Sequence, residues 1–350
     1  MSLWKERSEF MKKYLLPNTG KFYKANLHCH STMSDGKYTP KEMKEMYKAA
    51  GYDIVAFTDH DVLITHDDLT DDTFLALNGF EAACDEPKSP QKPTWRHVTT
   101  CHMGFISLTP NNKVFPLGYK GKFYDKLEPQ FQELTEYDDK YVIEYKRAHT
   151  AEYIKQTIKQ GHELGYLTII NHPTWSKVTV GEILEMYEGV DGIEMVNSGC
   201  ENTGHLEYNP RVYDEMLRAD MRVFCINADD SHSGPSSDPA YTMIKAERLD
   251  YEAVAKALKE HNFYATYGPK IKELWFEDGI IHIECSPVMR IEFTTGRRRA
   301  KAVMAKDENG VCSGEFTVMP DDKYVRVTIT DFNDKNANTN AYFTNTLFEN

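Results

Sequence analysis

Short apolar runs alternate with helix-patterned segments from about Lys24 to Gly268. Such alternation is the signature of repeated β-α units, and it directs this stretch towards an α/β fold with parallel strands. Strands are expected at Ala25 to His30, Ile54 to Thr58, Phe74 to Phe80, Cys101 to Leu108, Tyr166 to Asn171, Gly192 to Val196 and Arg222 to Asn227. A first helix opens at Thr39-Pro40-Lys41-Glu42, a capping box with proline at the first helical position, and Gly51 stops it. Others fit Ala151 to Leu164, Gly181 to Tyr187 behind a second box at Thr179 and Glu182, Arg211 to Ala219, and Tyr251 to Glu260. Seven strands with interleaved helices suggest a barrel or an open α/β sheet.

The pattern breaks twice. Between Thr109 and Thr150 runs an aromatic-rich stretch with Phe115, Tyr119, Phe123, Tyr124, Phe131, Tyr137, Tyr141 and Tyr145. A connection this long is read either as a cover over a site or as an excursion packed by its own aromatics. Past Tyr267-Gly268-Pro269 the helical signal ends, and Glu273 to Phe276, Ile280 to Cys285, Arg290 to Thr294, Glu315 to Val318 and Tyr324 to Thr330 alternate with period two. This predicts a small antiparallel, sandwich-like β domain. The chain of 350 residues thus divides into an N-terminal extension (1–23), a barrel-sized unit (24–268, with the insertion at 109–150) and the β domain (269–350). The basic run Arg297-Arg298-Arg299-Ala300-Lys301 falls in that domain and reads as solvated hairpin charge.

Composition narrows the partners. Lys plus Arg is 41 against 54 for Asp plus Glu, a net charge of −13, which argues against an extended nucleic-acid surface. Apolar runs such as Leu167 to Ile170 are far too short to span a membrane. Seven cysteines with no CxxC pair exclude a disulfide scaffold and a zinc ribbon. A reducing, cytoplasmic location is the expectation, although the Met1-Ser2-Leu3-Trp4-Lys5 start would also fit a scar left in place of a removed leader.

The chemistry is carried by side chains at strand ends, where parallel α/β folds build their sites. His28-Cys29-His30 closes the first apolar run, and strand alternation would turn both imidazoles to one side, where they can share a cation. Later runs end in or carry Thr58-Asp59-His60-Asp61, Gly79-Phe80-Glu81, Cys101-His102, Asn171-His172-Pro173 and Asp229-Asp230-Ser231-His232, while Asp35 lies in the loop Ser34-Asp35-Gly36. Any one of these reads as a hydrogen-bonded histidine or a capping aspartate. Their recurrence at six strand ends points to a metal site. His66, His149, His162, His205, His261 and His282 match no such motif and fit surface or helix positions. Trp175, Ser176 and Lys177 follow His172 and are candidate substrate contacts. Glu194 and Asn197 end the sixth strand on the same face, able to orient a ligand or to touch substrate.

These successive motifs, from His28-Cys29-His30-Ser31 to Asp229-Asp230-Ser231-His232, resemble those of the polymerase and histidinol phosphatase (PHP) family, over about Lys24 to Gly268. The resemblance implies a distorted (β/α)7 barrel holding two or three divalent cations and hydrolysing phosphoesters. It assigns His28, His30, Glu81 and Asp230 to a first cation. Glu81 would bridge to a second held by His102 and His172, and Asp35, His60 and His232 would hold a third. His102 is preferred to the nearby His97 because it falls inside the apolar run. Mixed nitrogen and oxygen ligands suit Zn, Mn or Fe better than Mg or Ca. Three carboxylates against three divalent ions and a bridging hydroxide leave roughly +2, enough to attract phosphate to an acidic protein.

The expected activity is hydrolysis of a small phosphorylated or nucleotide-like substrate by a metal-bridging hydroxide. Asp230 would act as ligand and proton acceptor, and His232 or His60 as proton donor, although a metal-bound His232 could not also be the acid. Two other readings share the same ligands: hydrolysis of an amide or lactone, and a non-catalytic metal-stabilised scaffold.

Overall fold

The structure is a computed structural model and describes residues 12–117, 122–137 and 147–349. Met1 to Lys5 of the N-terminal extension, and Tyr119, Tyr141 and Tyr145 of the insertion, lie outside the described residues. The chain has a mixed α/β fold. Seven strands form one flank of its main sheet: β1 (Lys21–Asn26), β2 (Ile54–Phe57), β3 (Leu75–Asp85), β4 (Thr100–Ser107), β5 (Tyr166–Ile170), β6 (Gly192–Asn197) and β7 (Phe224–Ala228). They run in the order β7-β6-β5-β4-β3-β2-β1. Beyond the sheet ladder, Asp229 N–H donates to Asn26 Oδ1 (2.9 Å), Asp230 N–H to the His28 carbonyl (2.9 Å) and His30 N–H to the Ser231 carbonyl (2.9 Å). The continuations of the two outermost strands of this flank therefore meet.

Helices form where the caps predict them. In α1 (Pro40–Ala49) Thr39 and Glu42 close both halves of the capping box, and in α3 (Val180–Met186) Thr179 and Glu182 do the same. Between them α2 (Ala151–Glu163) is capped by Thr150, and α4 (Ser198–Asn202), α5 (Pro210–Arg218) and α6 (Tyr251–Lys259) follow. Apolar faces of these helices pack on fully buried strands, as with Ile154 and Ile158 of α2 beside Tyr166 and Ile170 of β5.

The expectation of an all-parallel arrangement is corrected at β4. It pairs antiparallel to β3, with His102 opposite Ala83, and antiparallel to β5, with Phe105 opposite Thr168. A parallel crossover needs a dozen or more residues, usually a helix, and the segment between β3 and β4 carries Pro87, Pro90 and Pro93, which forbid one. The hairpin also extends β3 to Asp85, five residues past the expected end at Phe80.

The described residues of the insertion pack through their own aromatics. Phe115 stacks into the core against Phe80 (4.6 Å between ring centroids), and Phe123, Tyr124 and Leu127 pack on Met33, Val62 and Ile64. Phe123 also lies parallel to the His60 ring at 6.1 Å.

Two further strands, β8 (Tyr241–Ala246) and β9 (Phe263–Thr266), extend the main sheet beside β1. The C-terminal region is antiparallel throughout: β10 (Ile271–Glu277), β11 (Ile280–Val288), β12 (Arg290–Thr295), β13 (Ala300–Met304), β14 (Val311–Thr317), β15 (Tyr324–Thr330) and β16 (Asn336–Thr339). β10, β11 and β14 form one sheet, which Lys13–Tyr14 joins at its edge. Leu274, Phe276, Ile281 and Ile283 from that sheet pack against Ile291, Phe293, Val325, Val327 and Ile329 of the other. This second layer continues the main sheet, because β16 pairs with β9, Asn338 opposite Ala265. Across the junction Arg326 makes two hydrogen bonds to Asp214 of α5 (2.8 and 2.7 Å). The basic run turns the β12–β13 hairpin, and Arg299 pairs with Asp322 rather than forming a free patch. No helix among the described residues is long and apolar enough to cross a membrane, and all seven cysteines are free thiols.

Candidate metal centre

β1 ends at Asn26, so His28-Cys29-His30 continues it in extended form, held by the bonds to Asp230 and Ser231. Alternation persists: Cys29 enters the core with Val55 and Phe57, while the two imidazoles face each other with Nε2 atoms 3.1 Å apart. The loop that follows is shaped by Asp59, which accepts from Ser31 N–H and from the Ser31 and Ser34 hydroxyls (2.8 Å each). At Gly36 a Cβ would lie 2.5 Å from the His30 carbonyl oxygen, so only glycine lets this loop bring Asp35 back over the site.

All nine residues read as metal ligands converge. Glu81 is central. Its Oε1 lies 3.1 Å from His102 Nδ1, 3.1 Å from His172 Nε2 and 3.4 Å from His28 Nε2; its Oε2 lies 3.0 Å from His60 Nδ1 and 3.5 Å from His30 Nε2. Asp230 Oδ1 is 3.2 Å from His30 Nε2 and 3.3 Å from His28 Nε2. Asp35 stands 3.4 Å from His232 and 3.7 Å from both His60 and His30. Four sets of ligand atoms lie within 4.8 Å of one another: His30/Asp35/His60/His232, His28/Glu81/His172, His28/His30/Asp230 and His60/Glu81/His102. These sets overlap, and they also bring His30 beside Asp35, His60 beside Glu81 and His28 beside His172.

Divalent cations fit this arrangement. His30 Nδ1, Glu81 Oε2 and Asp230 Oδ1 are buried without a hydrogen bond, which is costly for polar atoms unless something else satisfies them. The neighbouring nitrogens are close enough but not aligned, as expected of groups aimed at common points between them. Burial works against ionisation of Glu81, yet His102, His28 and His60 hold its carboxyl well below the ordinary range. Asp230 is lowered likewise, with His28, His30 and His172 overcoming burial. Burial and the adjacent His60 depress His30 to about 3, leaving it neutral. His172 goes the other way: despite burial, Glu81, Asp230 and Glu194 raise it to about 9, so a cation bound there would displace a proton. His172 and Asp230 both sit in left-handed backbone, at φ of 26° and 47°, a strain that concentrates at functional sites.

A second layer holds these groups. Glu194 accepts from the His172 amide (2.7 Å) and Asn197 Nδ2 (2.9 Å), and its other oxygen meets His28 Nδ1 at 2.7 Å. Asn171 donates to Glu81 (2.9 Å) and Asn197 to Asp230 (3.2 Å). A buried acid within the apolar run Ile193-Glu194-Met195-Val196 was the sequence signal for this layer; Asn171, adjoining His172, carried no such signal. Glu194→Gln should weaken divalent-cation binding by about 10- to 100-fold, which a Mn titration would measure.

The candidate substrate contacts separate. Trp175 sits against His172 (4.9 Å between rings) and lines the open cavity above the cluster. Asn197 is fully buried, donates to Asp230 and does not line the cavity. Lys177 is exposed and does not line the cavity. His97 bonds to Thr94 on the surface, whereas His102 faces Glu81. Among histidines read as surface or helical, His162 lies in α2 and pairs with Asp191, but His66 is buried in a loop, where desolvation lowers it to about 4.

No curated protein matches the chain. Solved structures resemble it at low identity, three among them as follows. A two-domain Bacteroides vulgatus protein containing a predicted PHP-like metal-dependent phosphoesterase shares 14% identity over 94% of this chain and 97% of its own, with a TM-score of 0.43. A candidate metal-dependent phosphoesterase from Bifidobacterium adolescentis shares 16% over 70% and 97%, at 0.37. An amidohydrolase from Chromobacterium violaceum, with bound sulfate and no metal, shares 16% over 61% and 89%, also at 0.37. The PHP domain family model matches residues 26–265. That match takes in all nine members of the cluster, from His28 to His232, and spans well over half of the chain, and on this ground the chain belongs to the PHP domain family.

Proposed function

We propose that this protein is a metal-dependent phosphoesterase acting on a small phosphorylated substrate, with two or three Zn, Mn or Fe ions. The observation that carries the reading is the set of buried atoms without a hydrogen bond, His30 Nδ1, Glu81 Oε2 and Asp230 Oδ1, of which Glu81 and Asp230 line an open cavity. His28, His30, Glu81 and Asp230 would hold one cation, Glu81, His102 and His172 a second, and Asp35, His60 and His232 a third. Bound cations would acidify water and neutralise charge building up on the phosphoryl oxygens. Asp230 would act both as ligand and as proton acceptor. With two cations bound, His232, whose side chain is 41% exposed, or His60 would be free to give one to a leaving oxygen; as ligands of a third cation they could not. We read the seven-strand path, whose ends meet beyond Asn26 and Ala228, as a distorted (β/α)7 barrel over 24–268, with 269–350 as a sandwich domain.

The test is metal content and turnover of the intact protein. The expected result is two to three transition-metal ions per chain and Mn-stimulated hydrolysis of p-nitrophenyl phosphate, both lost in His28→Ala. Protein without metal, or activity indifferent to Mn and to His28→Ala, overturns the reading. A parallel screen of lactones and amides separates a hydrolase of another bond.

A further inference from the structure

We infer that the substrate carries a second anionic group, a phosphate or a carboxylate, on its leaving portion, and that Lys88 and Lys122 receive it. The inference rests on the phosphoesterase reading and adds the class of leaving group. The cavity above the cluster measures about 630 Å³, several times the size of a phosphoryl group, so an ester seated on the floor leaves most of it to the leaving portion. Its floor is acidic and imidazole-rich. Its walls carry two lysines, Lys88 from the β3–β4 connection and Lys122 from the insertion, both exposed.

Neither lysine has a carboxylate partner among the described residues, whereas Lys92 nearby pairs with Glu86; Lys126 shares the Phe123 ring with Lys122. Lys122 Nζ sits 4.7 Å from the same ring, and that ring stacks on His60 at 6.1 Å, which fixes the cation one aromatic layer from the cluster. Asp85 also lines the cavity and keeps its negative charge, one oxygen accepting from the Thr100 hydroxyl at 2.7 Å, so the lysines must offset it as well as receive the anion. A phosphoryl group on the floor leaves both ammonium groups without an anion. An anion on the leaving portion would complete them, and lysine is a suitable point charge for phosphate or carboxylate.

The test uses the full-length Mn-loaded protein with matched probes. Turnover is compared for n-propyl phosphate, 1,3-propanediol bisphosphate and 3-phosphoglycerate, and calorimetric binding for propylphosphonate and the non-hydrolysable propane-1,3-diphosphonate. The wild type should prefer the doubly anionic member of each pair. Lys88→Ala and Lys122→Ala should each reduce that preference by about tenfold, judged as the ratio within a pair. The bisphosphate and glycerate arms distinguish phosphate from carboxylate. Equal binding of the two phosphonates, or an unchanged ratio in both variants, overturns the inference. Preference for the diphosphonate without turnover of any ester would overturn the phosphoesterase reading and leave the anion subsite standing.

Discussion

Glu81→Ala should leave the protein unable to retain more than one cation and lower p-nitrophenyl phosphate turnover by about 10³-fold or more. No other side chain faces so many of the cluster. Its two oxygens lie within 3.5 Å of His28, His30, His60, His102 and His172, and removing them would leave five imidazoles without the carboxylate that balances a cation among them. Elemental analysis after dialysis, alongside initial rates in Mn, checks both parts. Full metal content with more than about a tenth of wild-type activity would show that Glu81 is not the shared ligand. Glu81→Gln adds a control for folding, since it keeps the shape and the capacity to accept from Asn171 while removing the charge.

The second large effect concerns stability. Arg326→Ala should destabilise the protein by about 3 kcal/mol, read from the denaturant midpoint with metal held saturating. Arg326 is 5% exposed and spans from β15 to α5, donating twice to Asp214 and once to the Thr328 hydroxyl (2.9 Å). Truncation leaves the Asp214 carboxylate largely enclosed, with its side chain 14% exposed, and without a counter-charge. Breaking one half of such a pair is worse than replacing both halves with apolar groups. The double variant Arg326→Met/Asp214→Leu should therefore recover much of the loss. An unchanged midpoint in Arg326→Ala would mean that the pair contributes nothing across the junction.

Much of the site is legible in the sequence because its residues sit where apolar runs stop. His28, Glu81, His172 and Asp230 each follow or close such a run, and the run fixes both the strand and the end from which the side chain points. The partition among ions is not legible: that His30 lies near Asp35 as well as Asp230 depends on how the Ser31–Gly36 loop folds back, which Asp59 and a close backbone approach decide. Lys88 and Lys122 leave no trace either, since they stand in connections without periodicity. The antiparallel strand β4 is a different case. Three prolines between Glu81 and Cys101 rule out the helix that a parallel neighbour requires, so the information was present and outweighed by the regularity of the other units. Asn197 shows the limit of face-based reasoning: it occupies the right end of the right strand, yet full burial turns it into a support for Asp230.

The pairing of β16 with β9 bears on how this fold can be reused. Severing the chain after Gly268 would bare the backbone of Tyr264 to Thr266, which now bonds to Ala337 to Thr339, and would strip Asp214 of its arginine. An open row of amides and carbonyls next to apolar side chains is a template for intermolecular pairing. The part that carries the ligand cluster is thus no cassette to be grafted into another protein by itself. A fusion that preserves chemistry would have to carry the last strands along, or supply a substitute seam.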